Sequence, residues 1–177
     1  MLLKRCSETD KSNKPKQIVG VKLADGNFIS CKHVVLAVGH SARDGFLMLE
    51  KVGVSIERKP FSIGFRIEHP QSIIDSARWG SMSGHPLLGH AEYKLVHHAS
   101  NGRSVYSFCM CPGGLVVSST SEEGCVVTNG MSQHSRNERN ANSALVVNLE
   151  DADLEEYERW PGDPLAGISL QRDLERR

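Results

Sequence analysis

The sequence has no excess of charge of either sign: 21 Lys and Arg stand against 21 Asp and Glu. Without a basic field, neither nucleic acid nor an anionic membrane has an electrostatic reason to bind it. No apolar run approaches the roughly 20 residues that a membrane-crossing helix requires. Met1-Leu2-Leu3 is followed at once by Lys4 and Arg5, too short an apolar stretch for a secretory signal. There is no Asn-x-Ser/Thr acceptor, and the five cysteines are odd in number and irregularly spaced. That excludes a secreted disulfide framework and points to a soluble intracellular protein in a reducing compartment.

Two further absences bear on chemistry. The chain has neither G-x-G-x-x-G nor G-x-x-x-x-G-K-[ST]; Gly84 and Gly89 keep the second spacing, but His90 stands where Lys is needed. The usual helix N-terminal cradle for a pyrophosphate is therefore missing, and any dinucleotide site would be incomplete. No metal site is expected either. None of the eight histidines forms H-E-x-x-H, and no cysteine pair has C-x₂₋₄-C spacing. The adjacent His97 and His98 would point to opposite faces of a strand.

What is present suffices for a packed core: 39% of the 177 residues are apolar, with 16 glycines besides. Residues 1–17 are mostly polar and read as a flexible arm. Residues Gln17–Cys31 read as a β-hairpin about an Asp25-Gly26 turn. HVVLAV (33–38) has the length and continuity of a strand buried on both faces, and a short helix follows from Ala42 to Val52. From Gly53 onward, short strand patterns alternate with turn signals: VSIER, FSIGFRIE, then a helix QSIIDSARW, then AEYKLVHH, SVYSFCM, LVVSST and CVVTN. The last four predict one antiparallel sheet in which LVVSST separates SVYSFCM from a parallel CVVTN. SALVVNL is a further strand, and Glu122 and Glu123 fall in an ordinary surface turn. The tail predicts a charged helix start, a Pro161–Pro164 break and an amphipathic segment that stops while its apolar side is still running.

Two stretches carry candidate chemistry. VVLAVGHSARDG (34–45) has the outline of a nucleophile elbow, but Arg43 occupies the place of its second glycine, so Ser41 is not read as a nucleophile. Gly39 either lets a ligand approach the backbone at a strand's carboxyl end or simply ends a core strand. CMCPGG (109–114) is the other. On a regular strand, Cys109 and Cys111 share a side with α-carbons about 6.5–7 Å apart, the upper edge of disulfide geometry. The favoured reading is small thiols beside a tight turn rather than a redox pair. Pro112 fixes φ, while Gly113 and Gly114 allow a sharp turn of bare backbone that can lie against a flat ring.

Several strings taken together, KPFSIGFRIEHPQSIID, YKLVHH, VYSFCMCPGG, SEEGCVVTNGMS and ANSALVV, resemble a known family. They are similar to the large FAD-dependent oxidoreductases (NAD(FAD)-utilising dehydrogenases) of bacteria and plastid-bearing plants, from about Val19 to Arg177. The resemblance implies an α+β chain: a remnant of a Rossmann-like FAD domain over 18–52, a β-rich substrate or cap domain over 53–149, and a truncated helical return segment over 150–177. It implies FAD in the full-length parent, NAD(P)H as a possible electron donor, and a small-molecule substrate of unspecified kind. A plastid location would follow if the source is a plant, and a cytoplasmic one otherwise. The implied flavin-facing residues are Gly39, His40 and Ser41, the turn Cys109, Cys111, Pro112, Gly113 and Gly114, and a second turn, Asn129, Gly130 and Met131. No catalytic residue and no oligomeric state is implied. Two other classes stay open: a stand-alone β-rich binding module without cofactor, and a thiol-redox or metal protein using Cys109, Cys111 and Cys125.

Overall fold

The computed structural model describes Leu2–Leu3 and residues 17–177, which form two compact units, Met1–Arg58 and Lys59–Arg177. The arm expected over 1–17 lies, apart from Leu2, Leu3 and Gln17, outside the described residues.

The first unit holds a three-stranded antiparallel sheet in the order β1 (Leu2–Leu3), β2 (Gly20–Lys22), β3 (Phe28–Ser30). The predicted hairpin is present. Its turn closes with Leu23 N–H donating to Asn27 O at 2.8 Å, and the Asp25 carboxylate accepts from Asn27 N–H at 2.9 Å. Gly26 sits at φ +92°, which the Asp-Gly signal foretold. The predicted helix is α1 (Arg43–Lys51). The strand predicted at 33–38 is not formed, and Val35 and Val38 are 92% and 54% exposed. An apolar run becomes a buried strand only when neighbouring strands take its backbone hydrogen bonds. None of the described strands pairs with it.

The second unit is built on a four-stranded antiparallel sheet in the order β4-β9-β6-β5: β4 (Ser62–Pro70), β9 (Asn140–Asn148), β6 (Ser104–Cys111) and β5 (Val96–His98). β9 pairs with β4 along its whole length, from Ser62 opposite Asn148 to Pro70 opposite Asn140. No α-helix interrupts the stretch from Ala91 to Leu149, so the β-rich expectation holds there. VSIER, however, forms no strand.

The predicted single sheet is also corrected. β7 (Gly114–Ser118) pairs only with β8 (Thr128–Ser132), as a separate two-stranded ribbon. LVVSST cannot lie beside SVYSFCM because β5 and β9 already occupy both edges of β6. The strand read as CVVTN is shifted: Val126 N–H donates to Glu175 O at 2.6 Å, and pairing begins at Thr128. Asn129-Gly130-Met131 is therefore mid-strand rather than a turn.

Helix α2 (Gln71–Trp79) starts directly after β4, and α3 (Ala166–Glu175) follows a short 3₁₀ helix at Asp151–Tyr157. Leu149, Leu154, Ala166 and Leu170 make the buried apolar core, with Phe61, Ile63 and Tyr157 packed against it. That core supports one end of the sheet. Bidentate Arg103–Asp153 and Arg172–Glu122 pairs, with bonds of 2.8 Å, tie the 3₁₀ helix and α3 to the strands and turns. Glu122 is thus an anchor, not the ordinary surface residue expected from its turn.

Candidate functional site

At the other end of the sheet, β9 buries two polar side chains beside Ala141: Asn142 and Ser143 are 0% exposed. Along β4, Arg66 shares a face with Gly64 and Glu68, and its cross-strand partner is Ala144. The small alanine leaves room for the guanidinium to reach over β9. It donates to Asn142 Oδ1 at 2.8 Å, to Cys109 O at 3.1 Å and to Asn129 Oδ1 at 3.4 Å. One arginine thus gathers the two stretches picked out by sequence, Cys109–Gly114 and Asn129–Met131.

Cys109 O is available because β6 breaks its pairing with β9 between Phe108 and Cys111. Cys109 has φ +49°, the conformation that residues with a side chain avoid. The regular strand assumed for a disulfide is absent, and Cys31, Cys109, Cys111 and Cys125 are all free thiols. Cys111 Sγ donates to Cys109 O at 3.4 Å.

The Pro-Gly-Gly turn is not bare. Pro112, Gly113 and Gly114 are buried, and the unit's own chain holds the turn from several sides. Gly113 N–H donates to Gln71 Oε1 at 2.8 Å, Ser132 Oγ to Pro112 O at 2.8 Å, and Glu138 N–H to Gly113 O at 3.2 Å. A Cβ on Gly113 would run into the Arg136 carbonyl. The exposed members of the two stretches are Cys109, Asn129 and Met131.

A buried polar chain continues inward from the turn. Gln71 Nε2 donates to Asp75 Oδ1 at 2.8 Å and to Ala91 O at 3.0 Å. Asp75 also accepts Ala91 N–H at 2.7 Å and lies 2.9 Å from His90 Nδ1. Burial alone would raise the Asp75 carboxyl, but the Ala91 N–H, His90 and Gln71 together hold it below its ordinary range. Sequence reasoning missed Arg66, Gln71, Asp75, His90 and Asn142. Gln71 and Asp75, spaced i, i+4 on the predicted helix, were the available signal.

Beside this network, on the α2 side of β6, lies an open cleft of about 1180 Å³ lined by β4, α2, β5 and β6 residues. His69 Nε2 and Tyr93 Oη share a 2.8 Å hydrogen bond at its wall. Burial pushes the Tyr93 phenol up, against the smaller opposing effects of a Ser143 hydrogen bond and the Arg66 charge. His69 Nδ1 and Asn142 Nδ2 are the buried polar atoms without a partner among the described residues.

Gly39, His40 and Ser41 belong to the first unit and lie next to one another, His40 Nε2 3.3 Å from Ser41 Oγ. Gly39 has φ +80° and open space where a Cβ would project. The described residues do not fit the phosphates of a dinucleotide. Helices α1, α2 and α3 begin after Ala42, Pro70 and Leu165, none at a glycine-rich loop, and Asp44 puts a carboxylate in the first turn of α1. Among the described residues no cluster of three or more His, Cys, Asp or Glu could hold a metal ion, and no helix is long and apolar enough to cross a membrane.

The second unit is thus a mixed α+β fold with antiparallel sheets and a polar network buried at one end of the larger one. Residues 60–177 match the family described as FAD-dependent protein, C-terminal domain-like, and the chain belongs to that family. It is 46% identical over 168 residues, 94% of its length, to an uncharacterized protein of Clostridium beijerinckii. The chain spans 30% of that relative's length.

Proposed function

We propose that this chain is the part of a FAD-dependent oxidoreductase that covers the flavin and shapes the substrate site. The observation that carries this reading is the FAD-dependent family match over 60–177 in a chain spanning only 30% of its relative. In this reading residues 18–52 are a remnant of the FAD-binding domain, 53–149 the substrate or cap domain, and 150–177 a helical return segment. The phosphate grip belongs to other residues of the parent protein, since none of the described residues fits it.

The flavin, when bound, supplies the electron transfer. The chain's own residues bind, orient and exclude water. Arg66 fixes Cys109 and Asn129 relative to one another, so the exposed Cys109, Asn129 and Met131 form one face on the substrate side of the ring. Pro112, Gly113 and Gly114 set the position of that face from beneath. Gly39, His40 and Ser41 are assigned to the cofactor side. NAD(P)H as electron donor, a small-molecule substrate, and a cytoplasmic or plastid location complete the reading.

The test is flavin binding by this chain and by its parent-length form. The purified chain should be colourless and should barely quench flavin fluorescence, while the longer protein should be yellow. A stoichiometrically yellow preparation of the 177-residue chain would show that the binding determinants have been misplaced.

A further inference from the structure

The cleft beside α2 has a composition that neither packing nor the buried network explains. Helix α2 presents Ile74, Ala77 and Arg78 to it, the i, i+3, i+4 spacing of one helix face. Ile67 of β4 and Leu95, just before β5, add to this side, while Val96 and Phe108 border the cleft from strands whose register turns their side chains to the other face. Leu95 is 57% exposed, a large apolar side chain left facing solvent in a concave surface. Such a wall favours an apolar ligand body.

The charges of the cleft are unbalanced. Its one carboxylate, Glu92, is engaged by Arg136 at 2.7 Å. Its two cations are not matched in this way: among the described residues neither Arg78 nor Lys94 makes an ion pair, and Arg78 only stacks 5.9 Å over the Trp79 ring. Two uncompensated cations beside an apolar wall select a ligand with an apolar body and one anionic end. A carboxylate suits an arginine fork with a lysine alongside.

We propose that this cleft binds an apolar organic carboxylate, with Arg78 and Lys94 taking the carboxylate and the wall of Ile67, Ile74, Ala77 and Leu95 taking the body. As the substrate site of a flavoprotein it rests on the function proposed above; as a binding site of this chain it does not. The His69–Tyr93 bond holds the phenol in the wall, and burial keeps that phenol protonated at neutral pH.

The probes are 2-naphthoate and its neutral counterpart 2-naphthamide, titrated into the full chain without FAD and followed by calorimetry. Naphthoate should bind about tenfold more tightly than the amide, the scale of a charge-assisted contact in a partly desolvated site, and should weaken with added salt. Arg78→Gln and Lys94→Gln should each remove most of that preference while leaving amide binding and the thermal midpoint in place. Lys22→Gln, in the first unit, should change nothing. Equal affinity for the two probes, or a preference that survives the Arg78→Gln/Lys94→Gln double variant, would overturn the assignment. So would absence of saturable binding by a chain with a normal melting transition, which would give the apolar wall to a protein contact instead. Failure of flavin binding by the parent-length protein would strike the proposed function and leave these results standing.

Discussion

Replacing Gly113 by alanine measures how tightly the CMCPGG turn is held. Gly113 has φ +47°, and its missing Cβ would meet the Arg136 carbonyl and backbone carbon. The left-handed conformation costs an alanine about 1–2 kcal/mol. Displacing the packed backbone at Arg136 adds about 1–3 kcal/mol, the usual cost of overfilling a buried site. The sum is about 2–5 kcal/mol. Gly102 supplies the comparison, because it has φ +84° but nothing within 4 Å of a Cβ. Gly102→Ala should show the conformational cost alone, about 1–2 kcal/mol. Urea denaturation followed by tryptophan fluorescence is the assay, since both tryptophans, Trp79 and Trp160, report on the second unit. With a slope of about 2 kcal/mol per molar urea, a loss of ~3 kcal/mol lowers the midpoint by about 1.5 M. If Gly113→Ala costs no more than Gly102→Ala, the turn is not clamped by Arg136 and the positioning role assigned to it fails.

Arg66→Met should cost about 2–4 kcal/mol, because it leaves the fully buried Asn142 Oδ1 without its donor, and Arg66→Lys should restore only part of the loss because it lacks the fork; equal stability of the two variants in urea would refute the hub. Asp75 is held below its ordinary value of 3.8, so its stabilising contribution is present above that pH and disappears as pH falls through the folded value. Asp75→Asn should therefore lose about 1–3 kcal/mol at neutral pH and show a shallower loss of stability in acid, read from unfolding midpoints between about pH 2 and 7. Timed alkylation with peptide mass spectrometry should modify the exposed Cys109 well before the buried Cys125; rapid oxidation to a Cys109–Cys111 disulfide would refute the bulged geometry.

The hairpin at Gln17–Cys31, helices α1 and α2, and the strand character of β4, β6, β7 and β9 were legible in the sequence. Each depends on signals within a few residues: an Asp-Gly turn, apolar alternation, an i, i+4 pattern. The pairing of those strands was not legible. β9, the last strand, becomes the centre of the four-stranded sheet by joining β4 some 80 positions earlier, from Ser62 opposite Asn148 onward, and no local signal encodes that partner. Once β5 and β9 hold both edges of β6, the strand after the glycine turn is forced into a separate ribbon. Asn129–Met131 then falls within a strand rather than in a turn. The fate of HVVLAV is the converse case: the sequence gives it every strand character, but a buried strand exists only beside partners, and none of the described strands supplies them. The chemical character of the site followed the same division. The missing phosphate motifs could be read directly, because a motif is local. The convergence of Arg66, Asn142, Cys109 and Asn129 could not, since a guanidinium reaching across three stretches of chain is created only when the sheet closes and buried polar groups must find partners.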